Sequence, residues 1–293
     1  MKKIASRKNR LPEWFLQDIP DSRSIAALRF LRRQRVNTVC LESRCPNWAG
    51  CFNQKCLAFM LLGSRCTRSC AFCAVERLGR NRPPADRQEP QRILRIIKEL
   101  GLNFVVITSV CRDDLDDKGA GEFVRTIKII RDYKASIEIE VLIPDFLGES
   151  LNQVVKARPD VLGHNLETVE RLYPKIRPEA AYRRSLKVIA LAKSLMPGLV
   201  TKSSLLLGLG ETEEEVVRAM LDLRICGCDI LVLGQYLAPT QRHYAVREFI
   251  SIEQFQRYKQ EASRLGFAAI QAAPLARTSY RAEQVYHKIK CAG

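Results

Sequence analysis

Histidine is scarce: His164, His243 and His287 are the only three in 293 residues. None adjoins the cysteine groups described below, so a zinc set of mixed Cys and His has little to draw on. Long apolar runs are also missing. No stretch suffices to cross a bilayer, and the basic start MKKIASRKNR is not followed by the apolar segment of a secretory signal. We therefore expect a cytoplasmic protein with no membrane attachment. There is no internal repeat and no low-complexity segment. With 46% hydrophobic and 27% charged residues, the composition excludes a disordered or fibrous chain and suits one large domain or two small ones.

Basic residues, by contrast, are in excess. Lys and Arg number 48 against 32 Asp and Glu, a net charge of +16 that favours acidic partners or serves solubility alone. Cysteine is plentiful at 11 residues. In a chain without a secretory signal, that number points to metal or redox chemistry before disulfides. Two groups stand out: Cys40, Cys45 and Cys51, spaced C-x4-C-x5-C, and Cys66, Cys70 and Cys73, spaced C-x3-C-x2-C. Cys56, Cys111, Cys226, Cys228 and Cys291 read as small packing or surface residues.

From about residue 57, β-rich runs alternate with segments of helical period. Strands are expected at 57–62, 103–109, 136–142, 161–165, 199–207, 229–235 and 267–272, and helices such as 92–100 and 213–225 between them. The alternation, about six times over, predicts an α/β fold of parallel βα units, open or closed into a complete or partial barrel, with ligands at the carboxyl ends of the strands. Residues 1–56 read as a loop-rich N-terminal extension holding the first cysteines and an Arg-rich stretch (Arg29, Arg32, Arg33, Arg35). Residues 57–272 form the βα body, with a surface linker at 79–90, and residues 273–293 a C-terminal tail.

The second cysteine group directly follows the first βα strand and Gly63. As a helix, positions i, i+4 and i+7 would make an apolar core stripe. The polar Arg65, Thr67, Arg68 and Ser69 oppose that reading, and closed zinc sites want a fourth ligand. Three thiolates on one loop suit three irons of a [4Fe-4S] cluster, with the fourth iron open. The motif, with Phe72 just before its last cysteine, resembles the radical S-adenosylmethionine enzymes. That resemblance implies a full or partial parallel barrel, here a partial (β/α)6 TIM-type barrel flanked by N- and C-terminal extensions. It also implies an open iron that chelates S-adenosylmethionine and a 5′-deoxyadenosyl radical that abstracts hydrogen.

The first group, in TVCLESRCPNWAGCFN, admits a zinc staple completed by Cys56. It also admits a second [4Fe-4S] cluster with a remote fourth ligand. C-x4-C-x5-C ahead of C-x3-C-x2-C resembles the lipoyl synthase family. RLPEWF near residue 10, FMLLGSRCTRSCAFC, TSVCRDDL, GHNLETVERLYPKIRP, LLGLGET, GQYLAPT and ARTSYRAE extend the resemblance over almost the whole chain. It implies two [4Fe-4S] clusters, the auxiliary one ligated by Cys40, Cys45, Cys51 and Ser279 and consumed as sulfur donor at C6 and C8 of an octanoyl chain. The chain is borne on a lysine of a carrier protein, either a lipoyl domain of a 2-oxoacid dehydrogenase or a glycine-cleavage H protein. Flavodoxin or ferredoxin would supply electrons, and no nucleic-acid partner is implied.

By the same resemblance Asn165, Glu167 and Arg184 hold polar parts of S-adenosylmethionine. Asp113 and Asp114 stand where ribose or amino groups are held, or as solvated loop carboxylates. Gly208 to Glu211 form a turn that lets backbone approach a ligand. His164 and His243 read as structural, since hydrogen abstraction by a carbon radical needs no imidazole base. Three positions depart from the family pattern: Cys111 where an acid is commoner, Ser204 where glycine is common, and Thr278 in place of the first of two serines. A methylthiotransferase or other two-cluster sulfur inserter is the alternative enzyme. A basic zinc protein that binds nucleic acid is the alternative of another class.

Overall fold

The computed structural model describes residues 12–15, 20–80 and 82–291. The basic start and the first two residues of RLPEWF lie outside them. An eight-stranded sheet forms the body: β1 (Asn37–Thr38), β2 (Ala58–Leu61), β5 (Phe104–Ser109), β6 (Glu138–Leu142), β7 (Val161–Gly163), β8 (Val200–Leu207), β9 (Ile230–Gln235) and β10 (Ala269–Ala272) stand side by side in that order. All neighbours from β2 to β10 pair parallel; β1 pairs antiparallel to β2 at the edge. Two further short strands, β3 (Arg65–Cys66) and β4 (Glu76–Arg77), pair with each other.

Most of the strands are apolar on both faces, as parallel strands covered by helices tend to be, whereas β6 and β8 bury Glu140 and Lys202 as an ion pair at 2.8 Å. β2, β7 and β9 are buried along their whole length. The crossovers are α4 (Glu89–Leu100), α5 (Ala120–Tyr133), α6 (Glu149–Lys156), α7 (Tyr173–Ile176) with α8 (Tyr182–Leu195), α9 (Glu213–Ile225) and α10 (Ile252–Arg264). α9 begins where sequence periodicity places it because Thr212 and Glu215 close a capping box. α4 starts three residues earlier than the periodicity indicates, with Pro90 in its first turn, and ends on left-handed Gly101.

Six parallel strands carry the expected βα alternation, and β10 adds a seventh at the edge. The N-terminal extension departs from the loop-rich expectation. It folds as α1 (Ser22–Arg33), capped by Asp21, then β1, α2 (Val39–Glu42) and α3 (Trp48–Asn53). The sheet remains open between β1 and β10. There the tail (residues 273–281) meets the extension, before α11 (Ala282–Lys290) packs Val285 and Tyr286 with Val161, Ile230 and Ala269.

Candidate active site

Cys66, Cys70 and Cys73 sit on a loop closed at its neck by the β3 and β4 pairing of Arg65 with Glu76 and Cys66 with Arg77. Its carboxyl-end position follows from β2, which finishes at Leu61. Leu62 and Gly63 are both left-handed, with φ of +68° and +87°, and turn the chain back over the sheet. Three contacts hold the loop against the barrel. Thr67 N–H donates to Cys111 O at 2.9 Å, Ala71 N–H to Ile176 O at 2.9 Å, and His243 Nε2 lies 3.1 Å from Cys73 O. His243 thus fixes the loop's backbone.

The three thiols are close enough to perturb one another. Burial raises Cys70 to about 11 and Cys73 to about 12, each opposed by its own neighbours and reinforced by the other thiols. Cys66 goes the other way, down to about 6. Its strongest partner is the Cys111 thiol, and the N–H groups of Arg68 and Cys111 point at its sulfur at 3.4 and 3.3 Å. The departure at Cys111 therefore acts directly on one of the candidate ligands.

The first triplet is built by α2, α3 and the turn between them, where Cys45 N–H donates to Cys40 O at 3.0 Å and Cys51 N–H to Asn47 O at 2.9 Å. Burial, then neighbouring Cys45, pushes Cys40 up to about 12, and burial also lifts Cys51 far above its ordinary value, with Cys40, Cys45 and Cys56 adding to it. Cys56 belongs to the same neighbourhood, beside Glu283 and Arg281.

A cavity of about 320 Å³ joins the two triplets. Cys40, Cys45, Phe72, Cys73, Asn165, Glu167 and Ser279 line it; Cys51, Cys66 and Cys70, like Cys56, do not. Leu142, Leu206, Val232, Leu237 and Ala238 supply an apolar wall. The tail reaches it because Gly234 has no side chain: a Cβ there would meet Ala276 O at 2.1 Å. Arg277, half-buried, lies near both Cys45 and Glu167, and desolvation lowers its proton affinity against the pull of those two groups. The two family departures Ser204 and Thr278 touch each other, their hydroxyls 3.0 Å apart.

Other expected contacts lie elsewhere. Asp113 pairs with Arg68 and Thr67, and its proton affinity is lowered chiefly by the Arg68 hydrogen bond. Asp114 pairs with Arg112. Arg184 donates to buried Asp145 at 3.0 Å. Glu211 closes its own turn by accepting from Gly208 N–H at 2.5 Å and Leu209 N–H at 2.9 Å. None of Asp113, Arg184, Gly208 and Glu211 lines the cavity. Sequence reasoning missed Arg68, which bridges Asp113 and Asp145, and Arg177, a buried cation near Cys70 and Glu167. Arg177 was legible only as part of the Arg-Pro closing GHNLETVERLYPKIRP.

Among the described residues no three His, Cys, Asp or Glu side chains converge as ligands of one metal ion. A cubane spreads its ligands over separate irons, and two triplets of soft thiols, with the Ser279 hydroxyl lining the same cavity as Cys40 and Cys45, have the donor chemistry for two such clusters.

A parallel barrel with three thiolates on the loop after its first parallel strand defines a radical S-adenosylmethionine enzyme, and the Radical SAM superfamily matches residues 60–223. Solved structures agree on the fold. SuiB of Streptococcus suis bound to S-adenosylmethionine aligns with TM-score 0.56 and 16% identity, over 78% of this chain and 53% of that one. Methylornithine synthase aligns with TM-score 0.53 and 17% identity, over 71% and 61%.

Sequence relatives narrow the class. The chain is 45% identical to the lipoyl synthase of Alkaliphilus metalliredigens over 95% of its own length and 97% of that protein's, and 46% identical to that of Thermus thermophilus over 94% and 86%. It belongs to the lipoyl synthase family. It is thus a radical sulfurtransferase that uses S-adenosylmethionine and two [4Fe-4S] clusters to insert sulfur into an octanoyl chain on a carrier.

Proposed function

We propose that Cys66, Cys70 and Cys73 hold the radical-generating cluster and that Cys40, Cys45, Cys51 and Ser279 hold the sulfur-donating one, with the octanoyl chain in the cavity between them. One observation carries this reading: Cys40, Cys45, Cys73 and Ser279 line the same space. When bound, the first cluster with S-adenosylmethionine supplies a hydrogen-abstracting radical, and the second supplies sulfur at C6 and C8. The chain's own groups do the rest. The apolar wall formed by Leu142, Leu206, Val232 and Leu237 takes a saturated chain and keeps water from it. Glu167 and Asn165 offer acceptors to the ammonium and ribose of S-adenosylmethionine. Ser279, a harder ligand than a thiolate, holds one corner weakly enough to be released. Arg277 stands near Cys45 and Glu167, where it would offset the negative charge of a ligating Cys45 thiolate.

The octanoylated carrier is a lipoyl domain or an H protein, and the reductant a flavodoxin or ferredoxin in the cytoplasm. No helix among the described residues is long and apolar enough to cross a membrane. The test is mass spectrometry of an octanoyl-lysine peptide after anaerobic incubation with reconstituted protein, reductant and S-adenosylmethionine. Two sulfur atoms gained by the peptide is the expected result. Ser279→Ala should still form 5′-deoxyadenosine and yield no lipoyl product; product at the parental rate overturns the ligand assignment.

A further inference from the structure

Four side chains from three separate parts of the chain form one hydrogen-bonded line beside the cavity. Asn165 Nδ2 donates to Glu167 Oε1 at 3.0 Å, Thr278 Oγ1 lies 3.1 Å from Asn165 Oδ1, and Ser204 Oγ lies 3.0 Å from Thr278 Oγ1. The chemistry fixes the direction of every bond. A carboxylate only accepts, so the Asn165 amide nitrogen faces Glu167 and its oxygen faces Thr278. A hydroxyl has one proton, so Thr278 gives its own to Asn165 and takes one from Ser204. Ser204 and Thr278 are 4% and 8% exposed, so their hydroxyls depend chiefly on protein partners.

All four line the cavity, and Thr278 also precedes Ser279 in the chain. Upstream the tail packs closely on β9, with Ala276 O where a side chain of residue 234 would stand. A ligand that draws the Asn165 amide toward itself leaves Thr278 and Ser204 with one mutual hydrogen bond for two hydroxyl protons, and an unpaired buried hydroxyl costs about 1–3 kcal/mol. A shift of Thr278 to recover a partner is passed to Ser279, the next residue along the backbone.

We propose that Thr278 is a positioning residue coupling occupancy of the Asn165 and Glu167 side of the cavity to the hold of Ser279 on the auxiliary site. The inference rests on the reading of Asn165 and Glu167 as S-adenosylmethionine contacts and of Ser279 as a ligand. Coupling of this kind is reciprocal: whatever binds one end alters affinity at the other by the same factor.

Hydrogen exchange of the tail peptide 274–281 in anaerobic, cluster-loaded protein, with and without S-adenosylmethionine, tests it. Addition should change tail exchange about fivefold or more in the parent and in Thr278→Ser, which keeps the hydroxyl. Thr278→Val, isosteric but unable to donate, should lose that change, and Thr278→Ala gives the same reading if the valine variant does not fold. An unchanged response in the valine or alanine variant, or no response in the parent, overturns the coupling. The underlying ligand reading fails separately, through product formation by Ser279→Ala.

Discussion

The amide of Asn47 donates to the carbonyl oxygen of Leu275 at 2.7 Å, joining the N-terminal extension to the C-terminal tail across 228 positions of sequence. Asn47 is 3% exposed and lies between Cys45 and Cys51, so this one bond fixes the first triplet against the segment that carries Ser279. Removing it leaves a buried carbonyl without a partner. Asn47→Ala should lower stability by about 1–3 kcal/mol in urea titration. It should also reduce lipoyl product per 5′-deoxyadenosine formed, because the sulfur-donating side alone is disturbed.

Gly234 gives a sharper test of the same juncture. A methyl group there overlaps Ala276 O, which is backbone and cannot rotate aside. Gly234→Ala should push the tail off β9 and leave the auxiliary triplet without Ser279. The expected readout is an altered auxiliary-cluster signal in Mössbauer spectra, with the signal from the Cys66, Cys70 and Cys73 cluster retained. Unaltered spectra from both clusters would show that the tail does not rely on this contact.

Sequence periodicity locates the barrel well because most strands are β-rich apolar runs, even β8 with Lys202, Ser203 and Ser204 ending in three leucines, and the helices between them are amphipathic. The expected 213–225 helix agrees to the residue, and the seven expected parallel strands all form. Both cysteine triplets were legible from spacing. Less legible were features that depend on distant partners. α1 carries Ile25, Leu28, Phe30 and Leu31 among Arg and Ser residues, and α3 is only six residues long, so neither shows a long amphipathic period, and they are held by packing against each other. Asp113, Arg184 and Glu211 looked available for a ligand because their partners Arg68, Asp145 and the Gly208 and Leu209 amides lie in other loops or in the backbone. Nothing in the spacing of Ser204 and Thr278 announces that they touch.

Two buried groups give opposing pH dependences. Glu89, accepting from Leu62 N–H at 2.7 Å, is pushed by burial up to about 7, against the pull of the Leu62 and Gly63 amides. The folded state binds its proton more tightly than the unfolded chain, so stability falls as pH rises from about 4.5 through 7. His164, whose Nδ1 bonds Ile143 O at 3.0 Å, is pushed by burial down to about 4. The unfolded chain binds that proton more tightly, so stability rises between about 4 and 6.5. The slopes nearly cancel between 4.5 and 6.5. Glu89→Gln should unmask the His164 slope and raise stability near pH 7.5 by about 3 kcal/mol. Melting temperature against pH checks this; an unchanged profile would mean that Glu89 is ionised through the whole range.

Arg68 stands in the cysteine loop with its guanidinium forked onto Asp113 at 2.7 and 2.8 Å and 2.6 Å from Asp145. Its side chain is 5% exposed and that of Asp145 is 1%. Burial alone would raise Asp145, but Arg68 outweighs it and holds the carboxyl down to about 2. The pair therefore stabilises the fold above the ordinary carboxylate range and loses that contribution as pH falls through about 2. Arg68→Ala leaves Asp145 buried beside a single, half-exposed Arg184, and should cost about 3–5 kcal/mol. Arg68→Lys keeps the charge without the fork and should recover only part of it. In the alanine variant Asp145 takes up its proton at higher pH, so acid unfolding monitored by circular dichroism should begin earlier than in the parent. Acid unfolding at the parental pH would show that Arg184 alone is sufficient, and that Arg68 serves the cysteine loop and not the carboxylate beneath it.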